Sequence, residues 1–319
     1  MRIARLPLTA AALTTAVLAG FGSTPALAAT APLSNAQISV HFDLAKGQQP
    51  ENIAAAADGG SYVTFAASRQ IAHISTAGKI TILATLPLPA DGGVKTPALG
   101  FPLTTGIVRG RDGTLYFGYA TGSADLTGIW KLAPGGSAQR ITALPATGLP
   151  NGLALDDGTG ILYVADSIVG AIYSVPVTGG PAKLWSTAGE LATTGFLGVN
   201  GLKIHDDAVW ATNLDKGTVL RIPITRSGRP AAVETTATGL AGIDDFAFTG
   251  NGDTILAAID TQNTVDLIQR NGSHTVVLDA TDGLEGPTSL AVRGRTVTVL
   301  SAAYLTQKDP NLLTAHLTR

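Results

Sequence analysis

Six degraded copies of one strand–turn–strand phrase, the lack of any long helix-period segment, and 38 Gly alongside little Lys or Glu predict an all-β chain folded as a six-bladed propeller. The clearest copy reads Leu149-Pro150-Asn151-Gly152-Leu153-Ala154-Leu155, then Asp157-Gly158, then Ile161-Leu162-Tyr163-Val164-Ala165-Asp166. A polar residue opens a buried strand, an Asp-Gly pair turns the chain, and a second apolar run returns. In successive copies the slot of Asn151 holds Glu51, Thr105, Asn151, Asn200, Asp244 and Thr288, spaced 54, 46, 49, 44 and 44 residues apart. Periods of about 40–50 residues with about four short strands each are the rhythm of propeller blades; a chance rhythm of turns in a β-sandwich is the weaker account.

The amino terminus stands apart from the fold. Residues 1–5 are basic, 6–22 form an apolar run, and Ala26-Leu27-Ala28 supplies small residues, so 1–28 read as a secretory signal peptide cleaved near Ala28. A membrane-anchored helix is the alternative, but the run is short and interrupted by Thr. The expectation is an exported protein, extracellular or periplasmic, with no membrane span after processing. Cleavage removes Arg2 and Arg5 and no acid, leaving 19 basic against 23 acidic residues and a formal charge of −4. That balance, with no basic stripe, excludes a phosphate-driven nucleic-acid binder. The chain has no cysteine, which excludes disulfides, a thiolate nucleophile and a Cys-built zinc site. A core must therefore hold the fold, and about 290 residues suffice for one. The chain reads as a monomer acting on a small-molecule substrate or ligand.

Residues 29–36 are rich in Ala, Thr, Pro and Ser and read as a flexible tail, with a single propeller domain over 37–319. The stretch 38–43 alternates and reads as an isolated strand. The first copy then turns at Asp58-Gly59, the second at Asp112-Gly113, the third at Asp157-Gly158, the fourth at Asp206-Asp207, the fifth at Asn251-Gly252 and the sixth at Gly294. The sixth copy is too short for four strands. The lone amino-terminal strand is therefore expected to join the last blade, which closes the ring and hides a sheet edge. Trp130, Trp210, Tyr62, Tyr116 and Tyr163 fall in the repeated strands and read as blade packing. The five His residues share no register, so spacing supports no His-based triad.

In a propeller the innermost strand of each blade begins at one face beside the central channel. The recurring slot thus becomes a ring of Glu51, Thr105, Asn151, Asn200, Asp244 and Thr288, all oxygen donors of the kind that suit Ca²⁺ or Mg²⁺. Asn151 or Asn200 alone is equally a turn former; Glu51 is not. One strand outward, the returning strands place Phe65, Tyr119, Asp166, Asn213, Asp260 and Ala302 beside the ring. Of these, Tyr119, Asp166, Asn213 and Asp260, together with Thr105 from the ring, are expected to bind substrate.

With both columns laid out, the chain resembles the senescence marker protein/gluconolactonase family of six-bladed propellers. Pro50-Glu51 with Asp58-Gly59 is similar to that family's opening glutamate motif, and Pro150-Asn151-Gly152-Leu153-Ala154 to its central segment. Val199-Asn200-Gly201-Leu202 is similar to a later segment that usually reads Pro-Asp-Gly. The resemblance implies a divalent cation, calcium first and magnesium second, on Glu51, Asn151 and Asn200. It also implies hydrolysis of a lactone or ester whose carbonyl the cation polarises. Two slots depart from the pattern. Asn200 stands where the family has the aspartate proposed as base, and Thr105 where many members have asparagine. An amide oxygen ligates calcium but takes no proton from water. Asp244 is then the ring carboxylate left to act as general base. The competing expectation is a non-catalytic propeller that binds a small ligand or protein partner at the same face.

Overall fold

The local chemistry of the central phrase explains its hairpin. Asp156 Oδ1 accepts from the Gly158 and Thr159 amides at 2.9 and 3.3 Å, and its Oδ2 from the Thr159 hydroxyl at 2.6 Å, an Asx turn that reverses the chain. The flanking runs pair antiparallel, with Leu155 opposite Leu162. A computed structural model describes residues 32–318. The expected signal peptide over 1–28 lies outside the described residues.

Strand β1 (Leu33–His41) opens the described chain. The first blade comprises β2 (Pro50–Ala55), β3 (Ser61–Phe65), β4 (Gln70–Ile74) and β5 (Ile80–Thr85). The second comprises β6 (Leu103–Arg109), β7 (Leu115–Ala120), β8 (Gly128–Leu132) and β9 (Gln139–Ala143), and the third β10 (Pro150–Asp156), β11 (Ile161–Asp166), β12 (Ala171–Pro176) and β13 (Lys183–Ser186). The fourth holds β14 (Val199–His205), β15 (Ala208–Asn213), β16 (Thr218–Pro223) and β17 (Glu234–Ala237). The fifth holds β18 (Ile243–Phe248), β19 (Ile255–Ile259), β20 (Thr264–Ile268) and β21 (His274–Leu278). The sixth has β22 (Pro287–Arg293), β23 (Thr296–Ser301) and β24 (Asn311–Leu317), and β1 pairs antiparallel with β24 as its fourth strand. Each innermost strand touches the next, and β22 touches β2, so the six-bladed ring closes through the amino-terminal strand as expected.

The tail boundary needs correction. Strand β1 begins at Leu33, five residues before the expected start, so 33–36 are strand rather than flexible tail. The cause is burial: Leu33 is buried among Leu284, Leu313 and Ala315, and Ala36 packs on the same cluster. Apolar clusters of this kind fill all six seams between blades. Tyr119 and Trp130 pack with Ile71 between the first and second, Tyr163 with Leu202 and Val209 between the third and fourth, and Trp210 with Phe246 between the fourth and fifth. Val63 and Phe65 meet Leu300 and Leu312 across the closing seam. Each such fully buried side chain contributes about 1.5–3 kcal/mol of transfer free energy. The aromatic residues are blade packing, as their register predicts.

The innermost strands approach one another through glycine. A Cβ at Gly152 would lie 2.1 Å from the Asn200 carbonyl oxygen and 2.8 Å from the Leu202 amide nitrogen, and one at Gly106 would lie 2.5 Å from the Asn151 carbonyl oxygen. Both obstacles are backbone and cannot rotate away. Gly152→Ala is therefore expected to cost at least the ~1–3 kcal/mol typical of overpacking. Gly189→Ala, where a Cβ meets nothing within 4 Å, is the neutral control. Urea midpoints of the two variants check this, and equal midpoints would refute the close-approach account.

Candidate functional site

Each innermost strand carries one extra residue at the same place. Pro150 pairs with Asp166 and Leu153 with Val164, three steps against two, and the first, second, fourth, fifth and sixth blades repeat the shift. A bulge at this point re-aims the side chain it contains. In all six blades that side chain belongs to the ring slot. Glu51, Asn151, Asn200 and Asp244 line one cavity of about 350 Å³ at the axis. The two threonines do not. Thr105 donates its hydroxyl to Pro150 O at 2.9 Å and Thr288 to Pro50 O at 3.0 Å, so both staple neighbouring blades.

The outer column is corrected more heavily. The observed partners of the strand entrances are Phe65, Tyr119, Asp166, Asn213, Ile259 and Ser301, so Asp260 and Ala302 stand one residue beyond the column. Tyr119 donates to Pro87 O at 2.7 Å and lies buried against Trp130. Asp166 accepts from the amides of Leu149, Ile168 and Val169, capping its own turn. Asn213 holds the carbonyls of Glu190 and Ala192 and the amide of Lys216. None of Thr105, Tyr119, Asp166 and Asn213 lines the cavity; Asp260 does. In a strand a one-residue step reverses the side chain, and Asp260, just past the end of β19, points where the column itself does not.

Tyr304 completes the acidic floor and was missed by sequence reasoning. It lies in the loop between β23 and β24, outside any repeated strand, and its hydroxyl donates to Glu51 Oε2 at 2.5 Å. Glu51 and Asp244 are each 9% exposed. No Lys or Arg among the described residues lines the cavity. Burial, then the charges of Asp260 and Asp245, pushes Glu51 up to about 7, against the lowering hydrogen bond from Tyr304. Burial, then the charges of Glu51, Asp260 and Asp245, holds Asp244 well above the carboxylate range. Burial pushes Asp260 up to about 6 and, with Glu51 beside it, holds Tyr304 well above the phenol range. Asn200 Nδ2 and Asp260 Oδ1 are buried with no hydrogen-bond partner.

Behind the floor lies a polar plug. Asp245 Oδ1 and Oδ2 accept from Lys203 Nζ at 2.6 and 2.8 Å, and Oδ2 also accepts from Asn52 Nδ2 at 3.0 Å and Ser289 Oγ at 2.8 Å. The column one step past the ring reads Asn52, Gly106, Gly152, Gly201, Asp245 and Ser289. Three glycines permit close approach, and three polar residues meet at the axis. That split into three glycines and three polar residues was a readable signal.

Apolar side chains wall the cavity above the floor, and they come from several blades. Leu99 and Phe101 lie in the long connection before β6, Phe196 and Leu197 in the one before β14, and Leu305 beside Tyr304. Leu103, Leu149 and Leu214 complete the wall. The donor set, three carboxylates and two amide oxygens with no His or Cys, fits a hard divalent cation, and the uncompensated buried acids would gain a counter-charge from one. The oxygens of Glu51, Asp244 and Asp260 do not all approach within 4.8 Å of one another, so the amides would have to complete the set. Among the described residues only His205, Asp206 and Asp253 converge that closely, at the opposite ends of β14 and β18.

No family model matches the chain, and no curated protein does. Solved structures do. A gluconolactonase from Xanthomonas campestris superposes with a TM-score of 0.64 at 12% identity, covering 85% of this chain and 87% of its own. The calcium-binding protein regucalcin from Agrobacterium tumefaciens gives 0.63 at 16%, covering 85% and 92%. Virginiamycin B lyase from Staphylococcus aureus gives 0.60 at 18%, covering 86% and 82%. What they share with this chain is the propeller fold. The expected resemblance to the gluconolactonase propellers therefore holds at that level.

Proposed function

We propose that the chain is a propeller hydrolase that opens a lactone or ester at the axial cavity, with a divalent cation, calcium first and magnesium second, held among Glu51, Asn151 and Asn200. The observation that carries this reading is the floor itself: buried acids that push one another's protonation upward, beside two amides, with no Lys or Arg among the described residues lining the cavity. The names of two fold neighbours, a gluconolactonase and a calcium-binding protein, agree with it. A bound cation would supply polarisation of the carbonyl. Asp244 is the ring carboxylate left to take a proton from water. Asn200 offers an unpartnered amide N–H to orient the substrate or that water. Tyr304 holds Glu51 in place, and the apolar wall limits competing water.

The test is a lactone and aryl-ester panel with added Ca²⁺, added Mg²⁺, or EDTA. Turnover that needs the metal and falls by about 10²–10⁴-fold in Asp244→Asn is the expected result. Full activity in that variant would remove Asp244 from the role of base. A melting temperature raised by Ca²⁺ without any turnover would favour the non-catalytic ligand-binding propeller, the reading to which the amide at position 200 lends weight. Export after cleavage near Ala28 and a monomeric state belong to the same proposal; the mature amino terminus and the size in solution check them.

A further inference from the structure

The cavity wall narrows the substrate class, an inference that rests on the hydrolase reading of the same site. Above the acidic floor the walls are Leu99, Phe101, Phe196, Leu197, Leu214 and Leu305, drawn from four separate connections. Phe196 and Leu305 remain 48% and 77% exposed at the mouth, although large apolar side chains in water carry a standing cost. The two amides on the wall are engaged with backbone: Gln49 Nε2 donates to Ala302 O at 3.2 Å, and Gln307 Nε2 to Ala303 O at 3.2 Å and Tyr304 O at 2.8 Å. No Arg or Lys among the described residues lines the cavity to receive a carboxylate or phosphate. Hydroxyls of a polyhydroxylated ligand that reach past the floor would therefore lie unpaired against hydrocarbon, and an anionic ligand would face the acids of the floor.

We infer that the cavity takes a lactone or ester bearing an aliphatic or aryl substituent, its carbonyl at the carboxylate floor and its substituent against the leucine and phenylalanine wall. A sugar-acid lactone is the wrong shape of polarity for this wall. The mature chain with Ca²⁺ is assayed on γ-lactones whose alkyl tail lengthens one methylene at a time, with glucono-δ-lactone beside them. The matching lactams, which resist hydrolysis, are titrated by calorimetry. Expected is a rise of about fourfold in kcat/KM and in lactam affinity per added methylene until the cavity is full, the factor that burying one methylene supplies. Leu305→Asp and Phe196→Ser, both at exposed positions, are expected to flatten that dependence while the protein melts normally.

Lactam affinity that climbs with tail length while no lactone is turned over would uphold the apolar ligand class and sink the hydrolase reading. Turnover of glucono-δ-lactone as fast as the tailed lactones, with no dependence on tail length, would overturn the inference and leave the hydrolase reading standing. Absence of binding by every lactam overturns it as well.

Discussion

Glu51→Gln is expected to make the metal-free protein more stable at pH 8, not less. Glu51 titrates near 7 in the folded chain against an ordinary value of 4.5, because burial and its acidic neighbours disfavour the charge. A carboxyl whose folded pKa is raised binds its proton more tightly in the native state. Its stabilising contribution is whole below about pH 4.5 and is lost as pH climbs through about 7. A shift of that size is worth on the order of 3 kcal/mol. In a domain of this length that becomes a fall of roughly 5–10 °C in melting temperature between pH 4.5 and 8 in EDTA. Asp260, pushed up to about 6, adds to the same slope. Gln at position 51 removes the charge and flattens the curve. A cation competes with these protons, so stabilisation by Ca²⁺ should grow from pH 5 to pH 8 and be lost in the variant. Calorimetric melts across that range decide it; a flat metal-free profile would refute the picture of an uncompensated acidic floor.

Lys203→Met should be the most damaging single change away from the cavity. It strips the cation from Asp245, which is 1% exposed and packed at the axis between Asn52 and Ser289. Breaking one side of a buried pair leaves an unpaired charge and costs about 3–5 kcal/mol. Adding Asp245→Asn to the same chain is expected to recover most of that loss, because the amide oxygen still accepts from Asn52 or Ser289 without a charge to neutralise. Guanidinium midpoints for the single and double variants measure the recovery. Equal destabilisation in both would mean that Lys203 matters through its packing over Phe246, 5.4 Å from ring centroid to Nζ, rather than through its charge.

Much of the ring was legible along the chain. The slot of Asn151 was found in all six blades because the bulge that shapes it recurs in sequence as a polar residue between an apolar entrance and a buried strand. The outer column slipped by one residue in the fifth and sixth blades, where Ile259 and Ser301 pair with the strand entrances, and the slip brought in Asp260 for the wrong reason. For Thr105, Tyr119, Asp166 and Asn213, register alone points to the substrate side, and their hydrogen bonds turn them to other partners. Each has a backbone partner, supplied for Thr105, Tyr119 and Asn213 by a distant segment and for Asp166 by its own blade and turn.

Strand order, blade number and closure by the amino-terminal strand could be read from the residues alone, because turn chemistry and a period of two are local properties repeated six times. The ring of polar oxygen donors followed from the same repetition. Which ring members face the cavity, how Tyr304 reaches Glu51, what balances Asp245, and the apolar wall of the cavity were settled only by the fold. Those features depend on side chains from loops of different blades meeting at one axis, and no local pattern encodes a meeting between residues 50 and 300.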